Sequence, residues 1–363
     1  MRIKNILFAL TAAALAIPTV SCRNSGSSGS SSSETETASA AEDTSADEMT
    51  TTGETTDEAD DEPTSEADSE DSTYDLSTLT AGEELSPAVW KVTDPATGNH
   101  IFLMGTVHIT PQGNIDFPDY VEEAYNSCDS IAIEYDTRKL MTDLTAVQKF
   151  LSQLLYTDGT TIKDHLSPEA YEAAVESMKE RGTYYPMIEN YHVGFIITQT
   201  GSASMTDIKG LSIEGVDWKF AERADKDGKE IINIETIDTQ ADAITAMSDD
   251  YASYMILSSR EQTASQAAEQ YADIYNCWAR GDIDSMIDVM EPSDDLPEEL
   301  LDDHAEYLSI IVNERNKGMA DAAESYIKNG KNCFFMVGAL HFSGDRGVDD
   351  LLEEKGFTVE RID

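Results

Sequence analysis

Basic residues are scarce. The 363-residue chain carries 24 Lys and Arg against 71 Asp and Glu, a formal net charge of −47. Phosphate backbones and anionic lipids are bound through clustered Lys and Arg, so nucleic acid is excluded as a partner, and so is a basic lipid-docking patch. Cysteine is also sparse, at positions 22, 128, 277 and 333. None lies in a C-x-x-C pair, which leaves a zinc ribbon or thioredoxin-type site unsupported. The chain has no H-E-x-x-H, no G-x-S-x-G elbow, no G-x-x-x-x-G-K-[ST] loop and no G-x-G-x-x-G fingerprint.

What charge there is divides unevenly. Residues 23–85 hold 19 acids and one base, a net of −18, and residues 86–363 hold −31. The first 22 residues differ in kind. Arg2 and Lys4 precede an apolar run from Ile6 to Ile17, too short to span a bilayer, which ends in Pro18-Thr19-Val20-Ser21-Cys22. A small residue before Cys resembles a bacterial lipobox, with Thr19 where that motif usually has Leu. The expectation is a signal peptide over 1–22, cleavage before Cys22 and lipidation of Cys22. That would leave an exported protein anchored by lipid to the outer face of the cell membrane. The plainer alternative is an ordinary secretory signal. Residues 23–85 are Ser, Thr, Glu, Asp, Ala and Gly with almost no large apolar side chain, so they are expected to be a disordered linker. As a flexible coil such a tether spans about 40–50 Å root-mean-square. With Cys22 assigned to lipid, three cysteines remain. A Cys128–Cys333 bridge is one reading, and plain buried thiols are the expected one.

Residues 86–363 read as α/β. Val89–Thr93 and Ile101–Val107 flank the turn-rich 94–99 stretch and predict a β-hairpin. Short apolar runs at Ser130–Tyr135, Leu211–Ile213, Glu230–Ile234, Asn332–Leu340 and Gly356–Arg361 predict further strands. Helical spacing is read over Asp116–Cys128, from Ser167-Pro168-Glu169 onward, and over Met187–Thr200, Trp218–Asp227, Thr236–Ser248 and Arg260–Arg280. It recurs over Ile283–Met290, Pro297–Asn329 and Val348–Lys355. Strands alternating with helices predict a central, mostly parallel or mixed sheet flanked by helices, with a helix-rich middle region. Acid clusters such as Ser293-Asp294-Asp295 and Asp302-Asp303 read as solvated helix faces and caps.

One pattern echoes across 233 residues. Phe102-Leu103-Met104-Gly105-Thr106-Val107-His108 aligns without gaps to Phe335-Met336-Val337-Gly338-Ala339-Leu340-His341. Each is an apolar strand leading into G-x-x-H, so each delivers a His near a strand's carboxyl end, where sites form in parallel sheets. The Gly permits a backbone or ligand to come close. Ser130-Ile131-Ala132-Ile133-Glu134 similarly puts an acid at a strand end. His100, His165, His192 and His304 lack this setting.

These stations, in order, resemble the TraB/GumN family with its Tiki relatives. They are Trp90-Lys91-Val92, Phe102–His108, Ala132-Ile133-Glu134-Tyr135-Asp136, Gly215-Val216-Asp217 and Ile234–Gln240. Arg315-Asn316, Gly338–Gly344 and Gly356–Val359 complete the set. The resemblance covers residues 86–363 and implies a fold related to erythromycin-esterase and ChaN-like proteins. Its Tiki branch implies a divalent-metal-dependent peptidase using His108, His341 and Glu134, with Arg315 matching a family Arg that binds substrate or stabilises an anion.

Two imidazoles and a carboxylate suit zinc, manganese or cobalt rather than the oxygen-only cage of magnesium or calcium. The reading is therefore a metal-dependent hydrolase acting on a peptide or small carbonyl substrate. Three alternatives stay open: a metal-free esterase-like site in which a His activates water, a haem- or ligand-binding lipoprotein, and a scaffold without chemistry.

Overall fold

The predicted hairpin forms, with Val89–Thr93 (β1) antiparallel to His100–Thr106 (β2) and Trp90 opposite Leu103. Its turn is held by Asp94, whose carboxylate accepts from the Ala96 N–H and the Thr97 hydroxyl. Gly98, at φ 78°, supplies the left-handed residue. These features come from a computed structural model that describes residues 75–76, 85–205, 208–289 and 291–362. All of them belong to one compact unit. The signal peptide, Cys22 and nearly all of the 23–85 linker lie outside the described residues.

The remaining strands are Thr110–Pro111 (β3), Ser130–Ile133 (β4), Leu211–Ser212 (β5), Glu230–Asn233 (β6), Cys333–Gly338 (β7) and Thr358–Arg361 (β8). Six form one sheet in the order β6-β4-β7-β2-β1-β8, and β3 pairs with β5 in a separate ribbon. β6, β4, β7 and β2 run parallel, while β1 is antiparallel to both β2 and β8. The fold class is thus α/β with a mixed central sheet flanked by helices. β4 and β7 are apolar but for Ser130, whose hydroxyl donates to the Asn332 carbonyl, and buried from end to end but for Gly338, as central parallel strands must be. β7 arrives late in the chain yet inserts between β2 and β4. That insertion brings the second G-x-x-H beside the first.

Helices cover the sheet through aromatic contacts. Tyr125 of the helix Asp119–Ser127 packs on Phe220 of the helix Val216–Asp227, and Phe220 packs on Phe334 of β7, with ring centroids 5.4 and 5.5 Å apart. The helix Pro168–Glu180 starts as expected, with Ser167 accepting from the Ala170 N–H and Pro at its first position. The helix-rich middle is no separate body, because Met178, Ile196 and Met255 share one core with Ile131 and Phe335 of the sheet.

Several boundaries differ from the sequence reading. Met187–Thr200 is a 3-10 turn, Pro186–Asn190, followed by a helix, Val193–Met205. The break falls at His192, whose N–H donates to the Leu154 carbonyl instead of continuing a helix. Asp249–Arg260 is a helix the periodicity did not set apart, capped by Ser248. Pro297–Asn329 breaks into a 3-10 turn, a helix Leu301–Leu308, a π-helical stretch Ser309–Glu314 and a helix Arg315–Lys328. Cys128, Cys277 and Cys333 are all free thiols. Among the described residues, no helix is long and apolar enough to cross a membrane.

Candidate active site

The carboxyl ends of four neighbouring parallel strands meet here. β2 leads to His108, β4 to Glu134, β6 to Glu235 and β7 to Gly338 and His341. β7 stops at Gly338, two residues before the predicted end, because Ala339–Phe342 closes into a buried 3-10 turn. The turn packs directly on β2. A Cβ on Gly105 would lie 3.0 Å from the Ala339 Cα and 3.1 Å from its Cβ. The Gly of the first G-x-x-H therefore makes room for the backbone carrying the second. Stacking of Phe342 on Trp90, with centroids 4.7 Å apart, fixes the turn from the other side.

Gly338 has a different task. A Cβ there would stand 3.2 Å from Glu134 Oε1, 3.6 Å from His108 Nε2 and 3.6 Å from His341 Cδ2. The three side chains singled out in the sequence converge over the bare backbone of this glycine. Glu134 Oε1 accepts the Gly338 N–H at 2.7 Å and lies 3.7 Å from His341 Nε2.

Each imidazole is held from behind. His108 Nδ1 faces Asp217 Oδ1 at 3.3 Å. His341 Nδ1 faces Asn316 Oδ1 at 2.5 Å, and Asn316 Nδ2 donates to the Arg346 carbonyl at 2.8 Å, which orients the amide. Both partners are acceptors, so in the neutral rings Nδ1 carries the proton and Nε2 keeps its lone pair.

The electrostatics separate the two histidines. Burial and the Arg315 charge press His341 down to about 3, outweighing Glu134, so this ring is neutral across the physiological range. Burial also pulls on His108, but Asp217 and Glu134 outweigh it and leave its pKa above the ordinary value. Burial would raise Glu134. Arg315 and the two histidines overcome that and hold it far below the usual carboxylate range.

Arg315 joins Glu134 to a second acid. Its Nη2 donates to Glu134 Oε2 at 2.5 Å and to Glu235 Oε2 at 2.9 Å, its Nε to Glu235 Oε1 at 2.8 Å, and its Nη1 to the Ile311 carbonyl at 3.1 Å. Four of the five guanidinium N–H groups are thereby used, and a single Nη1 hydrogen remains. In the structure Arg315 clamps two carboxylates, Glu134 and Glu235. Glu235 is raised by its burial and by Glu134, against the pull of Arg315 and Gln240.

Three residues here were given no role in the sequence: Asp217, Asn316 and Glu235. Each lies within a station quoted above, but an acid in a first helical turn, an Asn after an Arg and a second acid at a strand end carry no local mark of function. The other histidines are engaged elsewhere, such as His165 with Asp249 and His304 with the Tyr251 hydroxyl, both at 2.9 Å.

The donor set is of the kind that binds zinc, manganese or cobalt: two neutral-capable imidazoles with open Nε2 positions and a carboxylate oxygen with a spare lone pair. As placed, no group of three or more His, Cys, Asp or Glu among the described residues is drawn together tightly enough to hold an ion. Glu134 stands back, tied on one oxygen to Arg315 and on the other to Gly338. The two imidazoles fit the group, with Glu134 adjoining.

Fold and site together define the class: an α/β protein whose mixed sheet presents two strand-end histidines and a carboxylate. Within it the family is plain: the TraB/PrgY/gumN family profile matches residues 88–361, and the chain belongs to that family. Curated relatives include "Metalloprotease TIKI2" of Danio rerio, 22% identical over 341 residues, covering 80% of this chain and 64% of the relative. "Metalloprotease TIKI1" of the same organism is 21% identical over 331 residues, covering 78% and 64%. "Metalloprotease TIKI2" of Xenopus tropicalis is 23% identical over 327 residues, covering 77% and 60%. The chain thus spans less than two thirds of the length of these relatives. No solved structure matches.

Proposed function

We propose that the chain is a metal-dependent hydrolase acting on a peptide or similar carbonyl substrate, tethered outside the cytoplasmic membrane through a lipidated Cys22. The observation that carries the reading is the convergence of His108 Nε2, His341 and Glu134 Oε1 over Gly338. The relatives' names, metalloproteases, support it. His108 and His341 would hold a zinc, manganese or cobalt ion through Nε2, with Glu134 Oε1 as the third protein donor. When bound, such an ion acidifies a water and polarises a carbonyl.

The chain's own residues then have distinct tasks. Asn316 and Asp217 keep both Nε2 lone pairs aimed at the same point. Arg315 keeps Glu134 ionised, and Glu235 keeps Arg315 in place. Gly338 leaves the space in which the reacting group sits.

One observation favours a second, metal-free reading. Asp217 raises His108 while Glu134 is held too acidic to take a proton, so His108 Nε2 is the better base towards a water. Metal analysis of the purified chain and of His108→Ala and His341→Ala variants separates the two. Zn, Mn or Co bound at one equivalent, and lost in both variants, is the expected result. Peptide hydrolysis by a metal-free preparation that added metal does not alter would favour the second reading. No hydrolysis of a peptide library under either condition would overturn both.

A further inference from the structure

Ile109, the residue after His108, belongs to a second apolar cluster with Met205, Ile208, Leu211, Ala268 and Ala272. One member of that cluster comes from far away in the sequence. Leu76, only 1% exposed, is buried in it. Its N–H donates to the Lys209 carbonyl at 2.8 Å. Asp75 makes a parallel β-bridge with Lys209, and its carboxylate lies 3.5 Å from Lys209 Nζ.

Lys209 leads into β5, and β5 pairs with β3. β3 begins two residues after His108, and β5 ends five residues before Asp217. The ribbon therefore continues the two loops that carry the imidazole and its carboxylate. Beside the Leu76 cluster is a cavity of about 330 Å³ among the helices Pro168–Glu180, Val193–Met205, Asp249–Arg260 and Ala264–Ala279. It shares Met205, Ala267 and Tyr271 with that cluster. An apolar socket filled by Leu76 and an open cavity thus share lining residues, and Ile109 of the socket directly follows His108.

We propose that socket and cavity together form a cleft for an extended peptide bearing an acid followed by an aliphatic residue, and that Asp75–Leu76 occupies it from within the same chain. Strand addition supplies sequence-independent backbone pairing, and the socket supplies selectivity. The Lys209–Asp75 pair is exposed, so burial of the aliphatic side chain dominates and the acid refines. The cleft deepens the hydrolase reading by naming the substrate class, and it rests on that reading only for what happens after binding.

The test is peptide binding in trans. A fluorescein-labelled peptide of residues 70–80 is titrated into the full-length chain and into its Leu76→Asp variant, with fluorescence anisotropy as the readout. A tethered segment acts at an effective concentration of the order of millimolar, so it outcompetes micromolar peptide in the wild type. Leu76→Asp puts a charge into the socket and releases the segment. The peptide should bind this variant at least about tenfold more tightly than the wild type. The same peptide with Leu76→Asp and its second leucine, Leu79, kept should bind neither, and Lys209→Glu in the Leu76→Asp background should weaken binding.

Equal affinity for wild type and variant, tight binding of the Asp-substituted peptide, or no binding to either protein would each overturn the proposal. Binding is read without turnover. A protein that binds the peptide and hydrolyses nothing would sink the hydrolase reading alone, and an active enzyme that ignores the peptide would sink the cleft alone.

Discussion

Arg315 lies side-on against Glu235, with Nε 2.8 Å from Oε1 and Nη2 2.9 Å from Oε2, while the same Nη2 reaches Glu134. A bidentate pair of this kind fixes the guanidinium plane, and that plane fixes where Glu134 points. Glu235 thus positions the site without touching what binds there. Glu235→Gln keeps the volume but loses the charge. It should cost about 1–3 kcal/mol in urea unfolding, less than breaking an isolated buried pair, because Arg315 retains Glu134. Glu235→Asp, one methylene short of the bidentate reach, should fail to restore the loss. A stability equal to wild type in both variants would mean the clamp is not formed.

Asn316 decides the character of His341. The ring is neutral because it is buried beside Arg315, and its Nδ1 meets an amide oxygen instead of a carboxylate. Asn316→Asp places a negative charge at hydrogen-bond distance and favours the imidazolium. The His341 pKa, about 3 in the native chain, should rise by more than one unit in the variant. An NMR titration of the imidazole nitrogens reads this directly, and an unmoved His341 would refute the pairing.

Two glycine substitutions should have opposite consequences. Gly338→Ala puts a methyl 3.2 Å from Glu134 Oε1 and 3.6 Å from His108 Nε2. It should abolish the hydrolysis proposed for this site and leave the far-ultraviolet circular dichroism unchanged. Gly318, inside the helix Arg315–Lys328, has nothing within 4 Å of its would-be Cβ. Gly318→Ala should stabilise the chain by about 0.5–1 kcal/mol through the lower entropy of the unfolded state. Thermal denaturation of both variants checks the contrast. A destabilised Gly318→Ala would contradict the open surface at that position.

The site's frame could be read from sequence because β2, β4 and β7 are apolar runs with a chemically distinctive residue just beyond each. His108, Glu134 and His341 could be picked out on that basis, and the chain brings all three together. The clamp could not be read. Glu235 and Arg315 are 80 residues apart, and their pairing depends on β6 lying at the sheet edge and on the π-helical stretch Ser309–Glu314 leading into Arg315. Periodicity is blind to that stretch, which looks like part of one helix. His192 was hidden for a similar reason, since its backbone N–H takes a tertiary partner where local pattern predicts helix. Leu76 stands near Tyr74 and Leu79 in an otherwise polar tract, and its role shows only through the distant cluster that receives it.

Asp349 gives a pH-dependent prediction away from the site. Its Oδ1 is buried without a hydrogen-bond partner. Burial, with Asp350 adding, raises its pKa to about 6. The sign follows from linkage. Between the ordinary carboxylate value and about 6 the folded chain holds a proton that the unfolded chain has released, so stability falls as pH rises through that window. Above it the ionised, under-bonded carboxylate is a standing cost of about 1–3 kcal/mol, taking about 1.4 kcal/mol for each pKa unit and discounting for partial exposure. Asp349→Asn removes the ionisation and keeps the shape. The variant should melt several degrees above wild type at pH 8 and should lose that advantage by pH 4, where wild-type Asp349 is already protonated. An advantage of the same size at both pH values would assign the effect to the amide's hydrogen bonds rather than to the buried charge.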